Sequence, residues 1–354
     1  MDYESRIDEV RDVLEERGKD AFIAVGGPDC FYLSGFYTDS GSSYPVVVVP
    51  RDGDATLYVS AVDRSASDDS AIPVRIPDTK IVKALQDDLE AEELLVGGNI
   101  DVGMFSSLKE NLDAEVDGGI VSAMREVKDE EELERIKTAY DVTEDAVEAL
   151  VQEFEGGVER EIAARLEYNM RLNGSDGTPF PTIVAAGAAT ATPHHATGDT
   201  AVEGPLLLDL GARIGGYVSD VSRTLHIGEP DDRYREVYDA VREAQQAAAS
   251  VLEAGVPAAD VDGAAREALE ENGLADSFIH STGHGVGISV HEAPNLHKDA
   301  DEELEAGMVV TVEPGVYLEG EFGVRIEDAY IVQENGAERI TSLPRDIEDT
   351  IIRV

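Results

Sequence analysis

Four carboxylates and one imidazole in the second half of this chain lie in surroundings that ordinarily exclude charge. Asp209 falls in Leu206-Leu207-Leu208-Asp209-Leu210, and Glu313 in Val309-Val310-Thr311-Val312-Glu313-Pro314. An acid embedded in an apolar strand is costly unless it is paired, ligated or turned into a polar site. Each has a mate across a hairpin. With Ile214 and Gly215 as the two loop residues, position 209 pairs with Asp220, and across a loop centred on Gly320 position 313 pairs with Glu327. Directly opposed residues on antiparallel strands share a face, with Cβ atoms about 5 Å apart. Carboxylates held that close repel each other unless a cation or a proton lies between them. Between the hairpins runs His280-Ser281-Thr282-Gly283-His284-Gly285-Val286-Gly287, where glycines on both sides of His284 let backbone approach closely. The five side chains form a hard, oxygen-rich donor set. Such sets suit Mn²⁺, Co²⁺, Fe²⁺ or Zn²⁺, often as a pair roughly 3.5–4 Å apart.

Blander readings exist for each part. A lone Asp in a strand is usually a satisfied polar residue, and a lone histidine between glycines is more often structural than a ligand. His291-Glu292-Ala293-Pro294-Asn295 fails the HExxH zinc pattern at its fifth residue. Gly283, Gly285 and Gly287 lack the third glycine offset of a phosphate loop. It is the coincidence of two acid hairpins with one histidine segment that points to a metal pair.

Several elements must hold these residues. Leu133, Ile136, Tyr140, Val147 and Leu150 repeat at helical spacing before Gly156-Gly157, and a second helix covers Glu159 to Leu172. Val237, Val241, Ala244 and Ala248 mark a third, and Val261, Ala265 and Leu269 a fourth. Apolar runs at Thr182–Ala186, Pro205–Gly211, Tyr217–His226, Val309–Tyr317 and Val324–Gln333 read as strands, and Pro314 can cut short the ladder of its run. Helices segregated from antiparallel hairpins imply an α+β domain over residues 126–354. Residues 1–125 read instead as alternating helices and strands, an α/β domain. Here Ile7, Val10 and Leu14 mark a helix, and Ala21–Val25 a strand ended by Gly26-Gly27-Pro28. Tyr44–Pro50 and Ala55–Ser60 form a hairpin, and a further helix and strand follow to Val96. All seven histidines lie in the second half, so imidazole chemistry belongs there.

Composition narrows the class. The 354 residues include 75 acids and 28 bases, a net charge of −47 spread along the whole chain. Self-repulsion of that size destabilises a compact chain in dilute buffer. At about 1 M salt the Debye length falls to roughly 3 Å and the repulsion is screened, so the surface reads as adapted to high salt. No basic face exists for nucleic acid. One cysteine, Cys30, excludes an internal disulfide and fits a reducing cytoplasm. The start, MDYESRIDEV, has no apolar stretch of a signal peptide, and no apolar run is long enough to cross a membrane.

The segments LLLDLGARIGGYVSDVSRTL, HSTGHGVGISVHEAP, MVVTVEPGVY and GVRIEDAYIV resemble the metallopeptidases of the Xaa-Pro dipeptidase (prolidase), aminopeptidase P and methionine aminopeptidase family. Tyr32-Leu33-Ser34-Gly35-Phe36 is similar to the N-terminal domain of creatinase and prolidase, and Met124-Arg125-Glu126-Val127-Lys128 to the entry into the catalytic domain. The resemblance spans nearly the whole chain. It implies a pita-bread catalytic domain with a pseudo-two-fold antiparallel sheet. It implies that Asp209, Asp220, His284, Glu313 and Glu327 hold two divalent ions, Mn²⁺ or Co²⁺ ahead of Zn²⁺ or Fe²⁺, with Glu313 also the general base. It assigns His194 and His291 to the substrate and the tetrahedral intermediate, with His194 favoured over its neighbour His195, and places Arg325 where it could hold a substrate carboxylate. Short proline-containing peptides are the implied substrates, dipeptides before longer Xaa-Pro-Xaa peptides. A creatinase-like C–N hydrolase or an ectoine hydrolase is the competing activity. A homodimer is also implied, with Tyr37–Ser43 as a loop that could reach the partner's site. His226 and His297 read as surface or structural, and the role of His280 is open.

Overall fold

A computed structural model describes residues 1–38, 44–89, 91–98, 100, 102–110 and 113–353. The chain divides into Met1–Arg125 and Glu126–Val354. The first unit is built on a six-stranded mixed sheet. Its order is Val74–Arg75, Thr56–Tyr58, Val46–Pro50, Ala21–Val25, Glu93–Gly97, Asp113–Asp117. Ala21–Val25 pairs antiparallel with Val46–Pro50 and parallel with Glu93–Gly97, and is buried along its whole length. Helix Tyr3–Arg17 begins where Asp2 accepts a hydrogen bond from the Ser5 N–H and ends at Gly18 in the left-handed region. Gly26-Gly27-Pro28, read above only as a stop, also opens a helix, Gly27–Ser34, with proline in its first turn. Proline suits that position because the N–H it lacks has no partner inside the helix. Most of the loop expected at Tyr37–Ser43 lies outside the described residues.

Among the described residues the second unit holds two larger sheets, each with a helix pair, and two two-stranded ribbons. Helices Glu130–Gln152 and Glu159–Leu172 accompany the sheet ordered Ile351–Ile352, Val221–Ile227, Gly204–Leu210, Ile183–Ala186. Helices Asp232–Ser250 and Ala258–Glu271 accompany the sheet ordered Glu292–Leu296, Gly283–Gly285, Val309–Val312, Asp328–Val332, Ala337–Arg339. Val237, Val241 and Ala244, then Val261, Ala265 and Leu269, pack with Val310, Val312 and Tyr330 in one buried core. The long helix starts on a reciprocal cap: the Glu132 N–H donates to Asp129 at 2.8 Å and the Asp129 N–H to Glu132 at 2.9 Å.

Three of the expected strand runs are interrupted, each beside an acid. Tyr217–Val218 and Val221–Ile227 are separated by Ser219-Asp220. Val309–Val312 and Gly315–Leu318 are separated by Glu313-Pro314, and Phe322–Arg325 and Asp328–Val332 by Ile326-Glu327. At Asp220 and Glu327 the apolar pattern hides the break because flanking residues are buried on both sides. Pro314 lacks an N–H to continue its ladder. At two breaks the acid's own N–H crosses to another segment: Glu313 donates to Thr282 O at 2.7 Å and Glu327 to Ser222 O at 3.1 Å.

Candidate metal centre

The second hairpin has the register expected of it. Gly315 faces Arg325 and Val312 faces Asp328, so both ladders put Glu313 opposite Glu327. The first hairpin does not. Tyr217 pairs with Ile214, and Asp209 faces Ser222 rather than Asp220. The loop residues are Gly215 and Gly216, with φ of 53° and 90°. A two-residue turn of this kind needs positive φ at both positions, which two glycines meet and β-branched Ile214 does not. The expected direct opposition of Asp209 and Asp220 is therefore corrected by one residue at the turn. Asp220 follows as the diagonal neighbour, two residues from Asp209's partner, and side chains two apart along a strand still share a face.

Asp209, Asp220, His284, Glu313, Glu327, His194, His291 and Arg325 all line one cavity of about 820 Å³. Within it, donor atoms of Asp220, His284 and Glu327 lie within 4.8 Å of one another. His284 Nε2 lies 3.3 Å from Glu313 and 3.6 Å from Asp220. Its Nδ1 faces the Gly285 carbonyl oxygen at 3.0 Å, an acceptor that holds the Nδ1 proton, so that in the neutral ring the lone pair is on Nε2, facing the cavity. The glycines beside His284 are required by packing: a Cβ at Gly283 would meet the Thr311 carbonyl oxygen, and one at Gly285 that of Ala293. The preceding Thr282 is held by fully buried Asp262, which accepts from its N–H at 3.1 Å and its hydroxyl at 2.8 Å.

The electrostatics are those of a site short of positive charge. Burial raises the Asp220 carboxyl far above the usual carboxylate range, and the charges of Glu327, Asp209 and Glu313 raise it further. Glu327 is pushed up to about 8 by burial and then by Glu313 and Asp209. Its Oε1 is buried with no hydrogen-bond partner. Asp209 is raised by burial against the opposing pull of Arg325. Glu313 goes the other way: burial would raise it, but its hydrogen bond and ion pair with His284 hold it low, and they carry His284 up to about 9. A buried carboxylate oxygen without a donor, beside three further acids, is what a cation would satisfy. The donor set fits one or two divalent ions.

Around this cluster the other expected residues take distinct places. His194 is exposed on the cavity wall, while His195 Nε2 is tied at 2.9 Å to the buried carboxylate of Glu159. The His291 ring lies 4.3 Å from that of His284, and burial followed by the His284 charge lowers its pKa. Arg325 is buried. It donates to Asp209 at 2.7 Å, to Ser222 Oγ at 2.7 Å and to the Tyr317 hydroxyl at 3.1 Å. His280 Nε2 lies 2.9 Å from the same hydroxyl. Tyr317 and Ser222 went unnoticed in the sequence, where neither carries a distinguishing pattern. His226 faces the Gly228 carbonyl at 2.9 Å and packs on Tyr234, and His297 accepts from the Asp299 N–H at 3.1 Å; both are structural.

Residues 134–334 match metallopeptidase family M24, and residues 6–129 match the creatinase/prolidase N-terminal domain. The chain is 36% identical over 351 residues to an Xaa-Pro dipeptidase of Pyrococcus furiosus, covering 97% of this chain and 99% of that one. Among solved structures it is similar to the prolidase from Pyrococcus horikoshii OT3. The TM-score there is 0.91 at 31% identity, over 97% of this chain and 99% of the other. It is similar to the X-Pro aminopeptidase from Thermotoga maritima too, with a TM-score of 0.89 at 34% identity, over 98% and 99% of the two chains.

Proposed function

The chain belongs to metallopeptidase family M24, and from that premise we propose that it hydrolyses Xaa-Pro dipeptides with two divalent ions held by Asp209, Asp220, His284, Glu313 and Glu327. The observation that carries this reading is the convergence of the five donors on one cavity, with Glu327 Oε1 buried and unpartnered. Residues 1–125 then form the creatinase/prolidase-type domain and residues 126–354 the pita-bread catalytic domain. Mn²⁺ or Co²⁺ suits an oxygen-rich set with one imidazole.

When bound, the ion pair supplies a water whose pKa is brought toward neutrality and positive charge for the developing oxyanion. The chain's own groups supply the rest. Glu313, on the cavity wall beside the other donors, takes the proton from the attacking water. His291 and His194 face the substrate from the cavity wall and donate to the carbonyl oxygen or the proline carboxylate. Three of Arg325's five N–H donors are engaged by Asp209, Ser222 and Tyr317. Its part is chiefly to hold Asp209 in place, in preference to the substrate role expected from sequence. An Xaa-Pro bond has no N–H, so a site gripping the carbonyl and the free ends suits it better than one needing that donor.

A second reading, removal of the first residue from longer Xaa-Pro-Xaa peptides, is supported by the likeness to the Thermotoga enzyme. The complete donor set argues against a metal-free C–N hydrolase. The uniform charge of −47 supports operation in a salt-rich cytoplasm, and we extend the reading to a homodimer by likeness to the family. The test is assay of the purified protein in high salt with added Mn²⁺ or Co²⁺ against Met-Pro, Xaa-Pro-Xaa peptides and ectoine. Met-Pro turnover that a chelator stops is the expected result. Turnover of ectoine alone would overturn the proposal.

A further inference from the structure

The strand that follows Asp220 and the strand that follows Glu327 are joined by an arginine whose donors are all in use. Arg223 is 1% exposed and is among the largest fully buried side chains of the described residues. Its Nε donates to Pro344 O at 3.1 Å. Its Nη1 donates to Ser222 O at 3.0 Å and to Glu327 O. Its Nη2 donates to Leu343 O at 3.1 Å and to the Asp328 carboxylate. These five bonds match the five N–H donors of a guanidinium. Asp328 is itself fully buried and accepts from Thr341 Oγ1 at 2.7 Å and Gln245 Nε2 at 3.1 Å, with Arg345 at 3.4 Å from its second oxygen.

The placement of these bonds matters more than their number. The Glu327 N–H already donates to Ser222 O at 3.1 Å, and Arg223 grips the carbonyl oxygens of both residues in that link. Ser222 stands two residues from Asp220, and Glu327 is the acid itself. Arg223 and Asp328 do not line the cavity. A buried ion pair seldom stabilises a fold more than apolar residues of similar volume, so its use here calls for another reason.

We propose that Arg223, seated on Asp328, is a positioning residue that sets the separation of the Asp220 and Glu327 carboxylates and so the affinity for the divalent ions they hold together. This rests on the metal reading above. A lysine at 223 keeps the charge but has at most three donors, not arranged as a fork, and so releases part of the clamp. The test titrates chelator-stripped protein with Mn²⁺ by calorimetry in high salt and, in parallel, measures unfolding of the stripped protein. Arg223→Lys should bind Mn²⁺ about tenfold to a hundredfold more weakly, the loss usual when a residue supporting a ligand is changed. Asp328→Asn, which keeps shape and loosens the seat, should act in the same direction and serves if the lysine variant does not fold. Arg345→Met removes a cation beside Asp328 without touching either carbonyl, and should leave Mn²⁺ affinity within twofold of the wild type. Wild-type Mn²⁺ affinity in Arg223→Lys and Asp328→Asn, with only unfolding affected, would overturn the proposal. A wild-type protein that takes up no Mn²⁺, Co²⁺ or Zn²⁺ would overturn the metal reading and this one with it.

Discussion

The two acid-bearing hairpins of the second unit are alike in topology and unlike in electrostatics. In the hairpin around Gly320, Glu313 and Glu327 stand opposite each other in register between two ladders, and Glu327 Oε1 is buried with no hydrogen-bond partner. In the hairpin around Gly215-Gly216, Asp209 faces Ser222, Asp220 lies on the diagonal, and Asp209 has a guanidinium at 2.7 Å. Pseudo-symmetry belongs to the sheets and not to the donors. One hairpin is partly neutralised by a permanent cation, Arg325 on Asp209, and the other by a titratable one, His284 on Glu313.

Breaking the second hairpin should cost most. Glu313→Gln should lower kcat/KM by about 10³-fold, within the range for removing a general base. The circular dichroism spectrum should be unchanged. Retention of full activity would remove Glu313 from the reaction.

Stability of the chelator-stripped protein separates the hairpins next. Arg325→Met leaves the half-buried Asp209 without its cation and should destabilise that protein by about 3 kcal/mol, the low end for broken buried pairs. Glu327→Gln, measured at pH 8 or above, should raise its Tm, because it removes one charge from a cluster of acids. Loss of stability in both variants would show that the two hairpins are electrostatically alike.

The pH dependence follows from the same cluster. Glu327 has a folded-state pKa of about 8 against an ordinary 4.5, and His284 one of about 9 against 6.5. In both cases the native metal-free state binds more protons than the unfolded chain between the two values. Stability of the stripped protein should therefore fall as pH rises from about 4.5 to about 9. Affinity for Mn²⁺ should rise over the same interval, since an ion must displace those protons. Denaturant midpoints and calorimetric titrations at several pH values check both slopes. The smallest effect lies beside the first hairpin: His195→Gln should leave kcat/KM within about threefold and lower stability by about 1 kcal/mol through its bond to Glu159. His194→Ala should do the reverse.

Much of this site was legible because charge in an apolar strand is a strong signal. The register of the second hairpin followed from a single turn glycine. The first misled by one residue because Ile214-Gly215 and Gly215-Gly216 are both plausible loops until backbone φ is considered. The strand break at Glu313 was signalled by Pro314, whereas those at Asp220 and Glu327 were not legible, since the apolar residues on either side continue without interruption. Arg223 carried the same signal as Asp209, a charge in a buried strand, yet its partner Asp328 stood in the shadow of Glu327. Gly27–Ser34 was missed because proline and glycine mark starts as well as stops.

The central claim is that the five donors hold a pair of divalent ions. Elemental analysis of the wild-type protein, purified in high salt and loaded with Mn²⁺, measures it most directly. The account predicts two ions per chain, and a marked loss of them in Glu327→Ala. Protein that holds no ion before loading and takes none afterwards would contradict it.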